Sequence, residues 1–233
     1  KLKMKNKKLS IIFFKTKFFL IRAISNFINR KIKKKNNFEK FKDLIKDKNF
    51  STYWFLNNYK IIGNFLPRDY SKKFNYLEIG SFEGLSSLFV LSNWKNAKVT
   101  CIDIWKTSKD ESQFLNFNFG NVEKRFDLNL SDYVFTKIKS TSIEAFKKFD
   151  NQLYFDYIYI DGSHNGLDIY NDAVASINLL NVGGLIIFDD INNIYKDIEM
   201  QPHDAFDKFY NLYKKKIKIV FLKNIAIVQK TNF

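Results

Sequence analysis

Two stretches of the 233-residue chain concentrate side chains that can do chemistry. The first is LEIGSFEGLSS, where Glu78, Gly80, Ser81 and Gly84 lie between strand-like and helix-like residues. A glycine turn that leaves a strand and enters a helix lets backbone approach a ligand closely. The spacing is E-x-G-x-x-x-G rather than the G-x-G-x-x-G of a pyrophosphate site. An acid at the strand end disfavours phosphate and favours a cationic or hydroxyl-bearing ligand. Asp103 follows Gly84 by 19 residues at the end of the next strand-like run, placed to accept hydrogen bonds from two ribose hydroxyls. Trp105, just beyond, is suited to stacking on an adenine ring or to ordinary core packing.

The second stretch is FDYIYIDGSHNGLDIYNDAVASINLLNVGGLIIFDD, residues 155–190. Asp161 ends one strand-like run, and Asp189 with Asp190 ends the next. Carboxylates gathered this way repel one another unless a cation sits among them. Hard oxygen ligands with open positions suit Mg²⁺, which would hold two substrate oxygens and lower the pKa of a hydroxyl. The competing role for one or two of these acids is fixing loops or binding a ligand's amino group. His164, three residues past Asp161, is suited to take a proton from an acceptor hydroxyl, or else to stabilise its turn. The other histidine, His203 in QPHDAF, is expected at a surface or capping position. Tyr53, Trp54 and Tyr195 are aromatic candidates for a lid over an acceptor, from segments 49–58 and 192–203.

These residues need a frame to position them. Strands are expected near Tyr76–Ile79, Lys98–Ile104, Tyr133–Lys139, Phe155–Ile160, Gly184–Phe188, Lys216–Leu222 and Ile225–Val228. Helices are expected near Leu85–Ser92, Val122–Leu130, Ile143–Phe149, Asp168–Leu180 and Ala205–Tyr213. The alternation predicts a βαβ series with a parallel sheet covered on both faces. Only KN separates the last two strands, so they should form a hairpin and an antiparallel edge. The fold class is therefore α/β: a Rossmann-like, seven-stranded, mostly parallel sheet with an antiparallel edge hairpin, helices on both faces, and a basic amphipathic helical arm before it.

Composition agrees with one such domain, residues 37–233, and an arm, residues 1–36. A hydrophobic fraction of 45% and an aromatic fraction of 18% argue for a packed core and against disorder. The one cysteine, Cys101, excludes an internal disulfide, fits an inert core thiol, and suits a reducing cytoplasmic setting. The net charge of +15 is uneven: residues 1–36 hold 13 Lys/Arg and no Asp/Glu, which leaves 26 basic against 24 acidic residues elsewhere. A nearly neutral domain argues against a nucleic-acid partner. In the arm, Lys15, Lys17 and Arg22 interrupt the apolar run of 9–28, so no uncharged stretch is long enough to span a bilayer. Lys8, Lys15 and Arg22 recur every seven residues as one basic seam on an Ile/Phe/Leu-rich helix. That pattern suits peripheral contact with an inner membrane surface, or packing on the domain itself or on a second subunit of a homo-oligomer.

LEIGSFEGLSS and VTCIDIW resemble the first two motifs of class I S-adenosylmethionine-dependent methyltransferases. The Asp-Gly-Ser-His turn and the Gly-Gly-x-x-x-x-Asp-Asp ending resemble a subgroup that methylates sugar and small-molecule hydroxyls. The resemblance covers about residues 50–230 and leaves the arm outside. It implies S-adenosylmethionine as cofactor, bound by Glu78, Gly80, Ser81, Gly84, Asp103 and Trp105. Ser142 in STS would contact the adenine edge, unless it is a helix N-cap. It implies a glycan or other small-molecule acceptor, His164 and Asp161 as catalytic residues, and Mg²⁺ held by Asp161, Asp189 and Asp190. Two other classes stay open: a nicotinamide-dependent oxidoreductase on the same sheet, and a non-catalytic, membrane-associated scaffold.

Overall fold

The computed structural model describes residues 2–31, 36–106, 121–149 and 154–232. The chain forms two compact units, Ile32–Ala145 and a second made of Lys1–Lys31 with Phe146–Phe233. Its strands are β1 (Phe74–Ile79), β2 (Ala97–Asp103), β3 (Thr136–Lys139), β4 (Phe155–Ile160), β5 (Leu180–Phe188), β6 (Ile217–Leu222) and β7 (Ala226–Lys230). They form one seven-stranded sheet in the order β3-β2-β1-β4-β5-β7-β6, a Rossmann-like arrangement with helices around it.

In unit Ile32–Ala145, β1, β2 and β3 are parallel neighbours. The near-continuous apolar runs YLEI and VTCI are buried, as expected for parallel strands covered on both faces. Helices α3 (Asn36–Leu44), α4 (Tyr59–Phe65), α5 (Leu85–Asn93), α6 (Val122–Asn129) and α7 (Ser142–Phe146) complete this unit. Phe89 on α5 is fully buried and packs against Phe38, Phe41, Phe55, Tyr59 and Trp94. Strand β3 starts three residues later than its apolar content suggests. The chain at 131–133 instead closes α6 with a turn, Tyr133 N–H bonding Leu130 O at 2.9 Å.

In the other unit β4 and β5 are parallel, and β5–β7 and β7–β6 are antiparallel, which bears out the edge hairpin. Strand β5 begins at Leu180 rather than near Gly184, and Gly183, at φ 86°, is accommodated inside it. Helix α8 (Gly166–Leu179) is capped by Asn165, whose side chain accepts from Leu167 N. Gly166 is required at its start, because a Cβ there would lie 2.4 Å from Met200 O. Helix α9 (Pro202–Tyr213) opens on Gln201 with Pro at N1 and a reciprocal capping box to Asp204.

The arm is two helices, α1 (Leu2–Lys17) and α2 (Phe19–Lys31), packed on α9 and β6 of the same unit. Phe14 and Phe18 meet the Phe206 ring edge-on at 6.0 and 6.1 Å. Ser25 Oγ accepts from Leu222 N at 2.8 Å, satisfying a donor on the edge strand β6. Among the described residues no helix is long and apolar enough to cross a membrane.

Candidate active site

The glycine turn of unit Ile32–Ala145 is a run of left-handed backbone, with φ of 87° at Gly80, 46° at Phe82 and 84° at Gly84. Two of these positions need glycine on conformational grounds alone. At Gly84 a Cβ would also lie 3.1 Å from the Leu130 and Phe126 side chains, which would have to give by a few tenths of an ångström. Three carboxylates hold the turn. Glu78 is fully buried and accepts from the Ser86 and Ser87 hydroxyls at the start of α5. Burial pushes its pKa up to about 7 against the lowering effect of those two serines. Glu83 accepts from Ser51 N at 2.5 Å and Ser51 Oγ at 2.7 Å, and pairs with Arg125. Asn129 donates to Glu83 O and Asn49 O, each at 3.0 Å, fastening segment 49–51 to the turn.

Asp103 is the third. Its Oδ2 accepts from Phe82 N at 2.8 Å and its Oδ1 from Trp105 N at 2.6 Å. Burial holds this carboxyl above the usual range despite the backbone donors around it. Asp103 therefore couples the end of β2 to the glycine turn, its carboxylate ringed by backbone donors from Ser81, Phe82, Ile104 and Trp105. Trp105 is 6% exposed, donates through Nε1 to Phe82 O at 2.8 Å, and lies 4.7 Å from the Phe126 ring with Lys137 Nζ 4.6 Å from its centroid. Its place is in the packing of the unit. Ser81 is buried and its hydroxyl meets only the weak thiol of Cys101, making no full hydrogen bond. Such an under-satisfied group beside left-handed backbone suits a polar ligand. After β3 the helix cap is Thr141, whose Oγ1 accepts from Glu144 N at 3.3 Å, and Ser142 is the first residue of α7.

The other unit holds the second cluster. Tyr159, fully buried on β4, places its hydroxyl 3.0 Å from Asp161 Oδ2 and in hydrogen-bond contact with Asp189. One phenolic proton serves two carboxylates. Burial first, and the charge of Asp190 second, push the Asp189 carboxyl up to about 6. Asp190 has φ 52°, and its N–H bonds Asp189 Oδ1 at 2.8 Å, which turns its side chain toward His164. His164 Nε2 lies 3.5 Å from Asp190 Oδ2, both side chains one-third exposed. The imidazole stacks on Tyr195 at 4.7 Å and 26°. Burial and the Asp190 charge push the Tyr195 phenol upward, so it stays a neutral hydrogen-bond donor. A His–Asp pair against an aromatic plate can orient one tautomer: with Nε2–H toward Asp190, Nδ1 is free to accept a proton.

The carboxylates do not present themselves as a metal site. Tyr159 occupies Asp161 and Asp189, and Asp190 faces His164. Among the described residues no group of three or more His, Cys, Asp or Glu side chains is arranged to hold a metal ion.

Residues 77–191 match the model of a known family, described as a methyltransferase domain. The matched span runs from β1 to just past β5. No curated protein matches the chain. Among solved structures, a candidate O-methyltransferase from Klebsiella pneumoniae is 13% identical, with a TM-score of 0.55 over 91% of this chain and 98% of that one. The O-methyltransferase TomG from Streptomyces achromogenes, solved with S-adenosylmethionine, is 12% identical with a TM-score of 0.52 over 91% and 97%. MycE methyltransferase of mycinamycin biosynthesis, solved with Mg, S-adenosylhomocysteine and mycinamycin VI, is 17% identical with a TM-score of 0.52 over 82% of this chain. This chain covers 54% of that protein. At these identities the likeness is one of fold. Together with the family match it supports an S-adenosylmethionine-dependent methyltransferase.

Several residues that support the His164 cluster or lie near the sheet rim have no motif signal. Gln201, fully buried, accepts from Tyr195 N at 2.8 Å and donates to Tyr195 O at 3.1 Å, so it brackets the residue that stacks on His164. Lys7 of α1 donates to the carbonyls of Tyr195, Lys196 and Ile198 at 3.2, 2.7 and 2.5 Å. His203 is fully buried, not a surface residue: its Nε2 lies 2.6 Å from Ser10 Oγ beneath the arm. Tyr53 and Trp54 are about half exposed, at 46% and 55%.

Proposed function

We propose that this chain is an O-methyltransferase that transfers the methyl group of S-adenosylmethionine to a hydroxyl of a sugar or other small molecule. The observation that carries the acceptor half of this reading is the His164–Asp190 pair stacked on Tyr195. A base oriented in this way is what removal of a hydroxyl proton requires.

The cofactor supplies an activated methyl on a sulfonium, already a good leaving group. In this reading Asp103 receives the ribose hydroxyls. Backbone at Gly80, Ser81 and Phe82 approaches the ligand, and Ser142 meets the adenine edge. Glu78, Gly84 and Trp105 hold the turn in shape. At the acceptor, Asp190 fixes the His164 tautomer and Nδ1 takes the hydroxyl proton as the new C–O bond forms and the C–S bond breaks. Asp161 and Asp189, with Tyr159 between them, orient the acceptor through hydrogen bonds. Positioning then supplies most of the rate. In the sequence expectation Asp161, Asp189 and Asp190 are the residues that would hold Mg²⁺, which would supply charge to lower the pKa of the acceptor hydroxyl, and no step is routed through an ion.

Incubation with methyl-labelled S-adenosylmethionine and a panel of sugar and phenol acceptors tests the reading. Label should enter a hydroxyl-bearing acceptor, and His164→Ala should abolish its transfer. The same assay in EDTA, with and without added Mg²⁺, reads out the ion's part. The nicotinamide alternative is not favoured by the family match, and saturable binding of a nicotinamide cofactor without S-adenosylmethionine binding would reinstate it. Absence of any S-adenosylmethionine binding would favour the scaffold.

A further inference from the structure

The arm has two faces, and only one is used to pack on its own unit. Ile11, Phe14, Phe18 and Ser25 are buried against α9 and β6. On the other side Leu9, Ile12, Phe13, Leu20 and Ile24 are 43%, 56%, 72%, 71% and 53% exposed. At about 3.6 residues per turn these positions fall on one stripe. The stripe continues across the junction of α1 and α2, where Phe18 N bonds Phe14 O at 3.2 Å and Arg22 N bonds Phe18 O at 2.9 Å in helical register. Exposed Lys8 and Lys15 line one edge of it.

We propose that this stripe is a docking surface for an anionic lipid bilayer, on which the arm lies in the plane of the interface. Three observations select that occupant. An apolar stripe along one helical line, too interrupted by charge to span, has the geometry of an interfacial helix. The 13 basic and no acidic residues of 1–36 complement anionic headgroups. A second copy of the chain would bring two uniformly positive arms face to face, which repels. The buried side stays occupied throughout: Lys17 pairs with Asp207 at 2.5 Å and Arg22 donates to Asn192 Oδ1 and Lys223 O at 3.3 and 3.2 Å. Docking by the outer face therefore requires no unfolding. It would hold the unit that carries Tyr195 and His164 at the lipid surface.

Co-sedimentation of the full chain with phosphatidylcholine vesicles, with and without phosphatidylglycerol, tests this. Binding to the anionic vesicles should exceed binding to the neutral ones by about tenfold and fall with added salt. Phe13→Asp/Leu20→Asp should reduce it by about tenfold or more, and Lys8→Gln/Lys15→Gln severalfold, with thermal midpoints unchanged for both. No binding to anionic vesicles, equal binding to both lipids, or full binding by the aspartate variant would overturn the proposal. So would a dimer in ultracentrifugation that Phe13→Asp/Leu20→Asp dissolves. None of these readouts depends on methyl transfer.

Discussion

The two units use carboxylates in opposite ways. Around the glycine turn of unit Ile32–Ala145, Glu78, Glu83 and Asp103 accept from serine hydroxyls, an arginine and backbone N–H groups, each with donors of its own. These acids shape backbone. In the other unit Asp161 and Asp189 both meet the Tyr159 hydroxyl, Asp189 also accepts from Asp190 N–H, and Asp190 faces an imidazole that is one-third exposed. These acids face a phenol and an imidazole. In the proposed reaction this difference separates where the cofactor is held from where a proton moves, and substitutions should then affect one function and spare the other.

The largest separation is expected at His164 and Asp103. His164→Ala should lower kcat by about 10²–10⁴-fold, the usual range for a general base, with cofactor affinity unchanged. Asp103→Ala orphans the Phe82 and Trp105 N–H groups and removes the ribose acceptor. At ~1–3 kcal/mol for each lost charged hydrogen bond, cofactor affinity in calorimetry should fall by about a hundredfold. If His164→Ala weakened the cofactor as much as the acceptor, the division between units would be wrong.

A smaller effect follows from the two buried acids whose pKa values are raised. Glu78 rises from an ordinary 4.5 to about 7, so the folded chain binds its proton more tightly than the unfolded chain does. Its contribution is complete below pH 4.5 and is lost as pH rises through about 7. Asp189 gives the same sign between 3.8 and about 6. Glu78→Gln should flatten the upper part of this slope and Asp189→Asn the lower part, as read from urea midpoints across pH. A slope that survives both substitutions would show that neither acid carries it.

The smallest effect belongs to Lys7. Lys7→Ala removes three donors from loop carbonyls and should speed hydrogen exchange in 195–198, with a kcat loss of about threefold or less, since hydrogen bonds of this kind contribute ~1 kcal/mol. Exchange left unchanged would mean that Gln201 alone holds Tyr195 against His164.

Much of this arrangement was legible in the sequence because it rests on local pattern. Runs such as YLEI and FDYIYI fixed the strands, KN fixed the edge hairpin, and the glycine and DGSH turns lay at strand ends as the alternation required. What could not be read depends on contacts between distant residues. Nothing near Trp105 in the sequence reveals that Phe126 and Lys137 cover it. Nothing near His203 reveals that Ser10, 193 residues away, buries it. Gln201 carries no signal in the sequence, and its bonds to Tyr195 appear only when the loop folds back. The shift of the cap from Ser142 to Thr141 is of another kind, since both adjacent hydroxyls can cap and the backbone geometry chooses Thr141 although Ser is the stronger capper.

The central claim is that the glycine-turn unit holds S-adenosylmethionine through Asp103. Isothermal titration of the full chain with S-adenosylmethionine tests it most directly. One saturable site is predicted, weakened by about a hundredfold in Asp103→Ala and unchanged in His164→Ala. No binding by the wild-type chain, or equal affinity in Asp103→Ala, would contradict it.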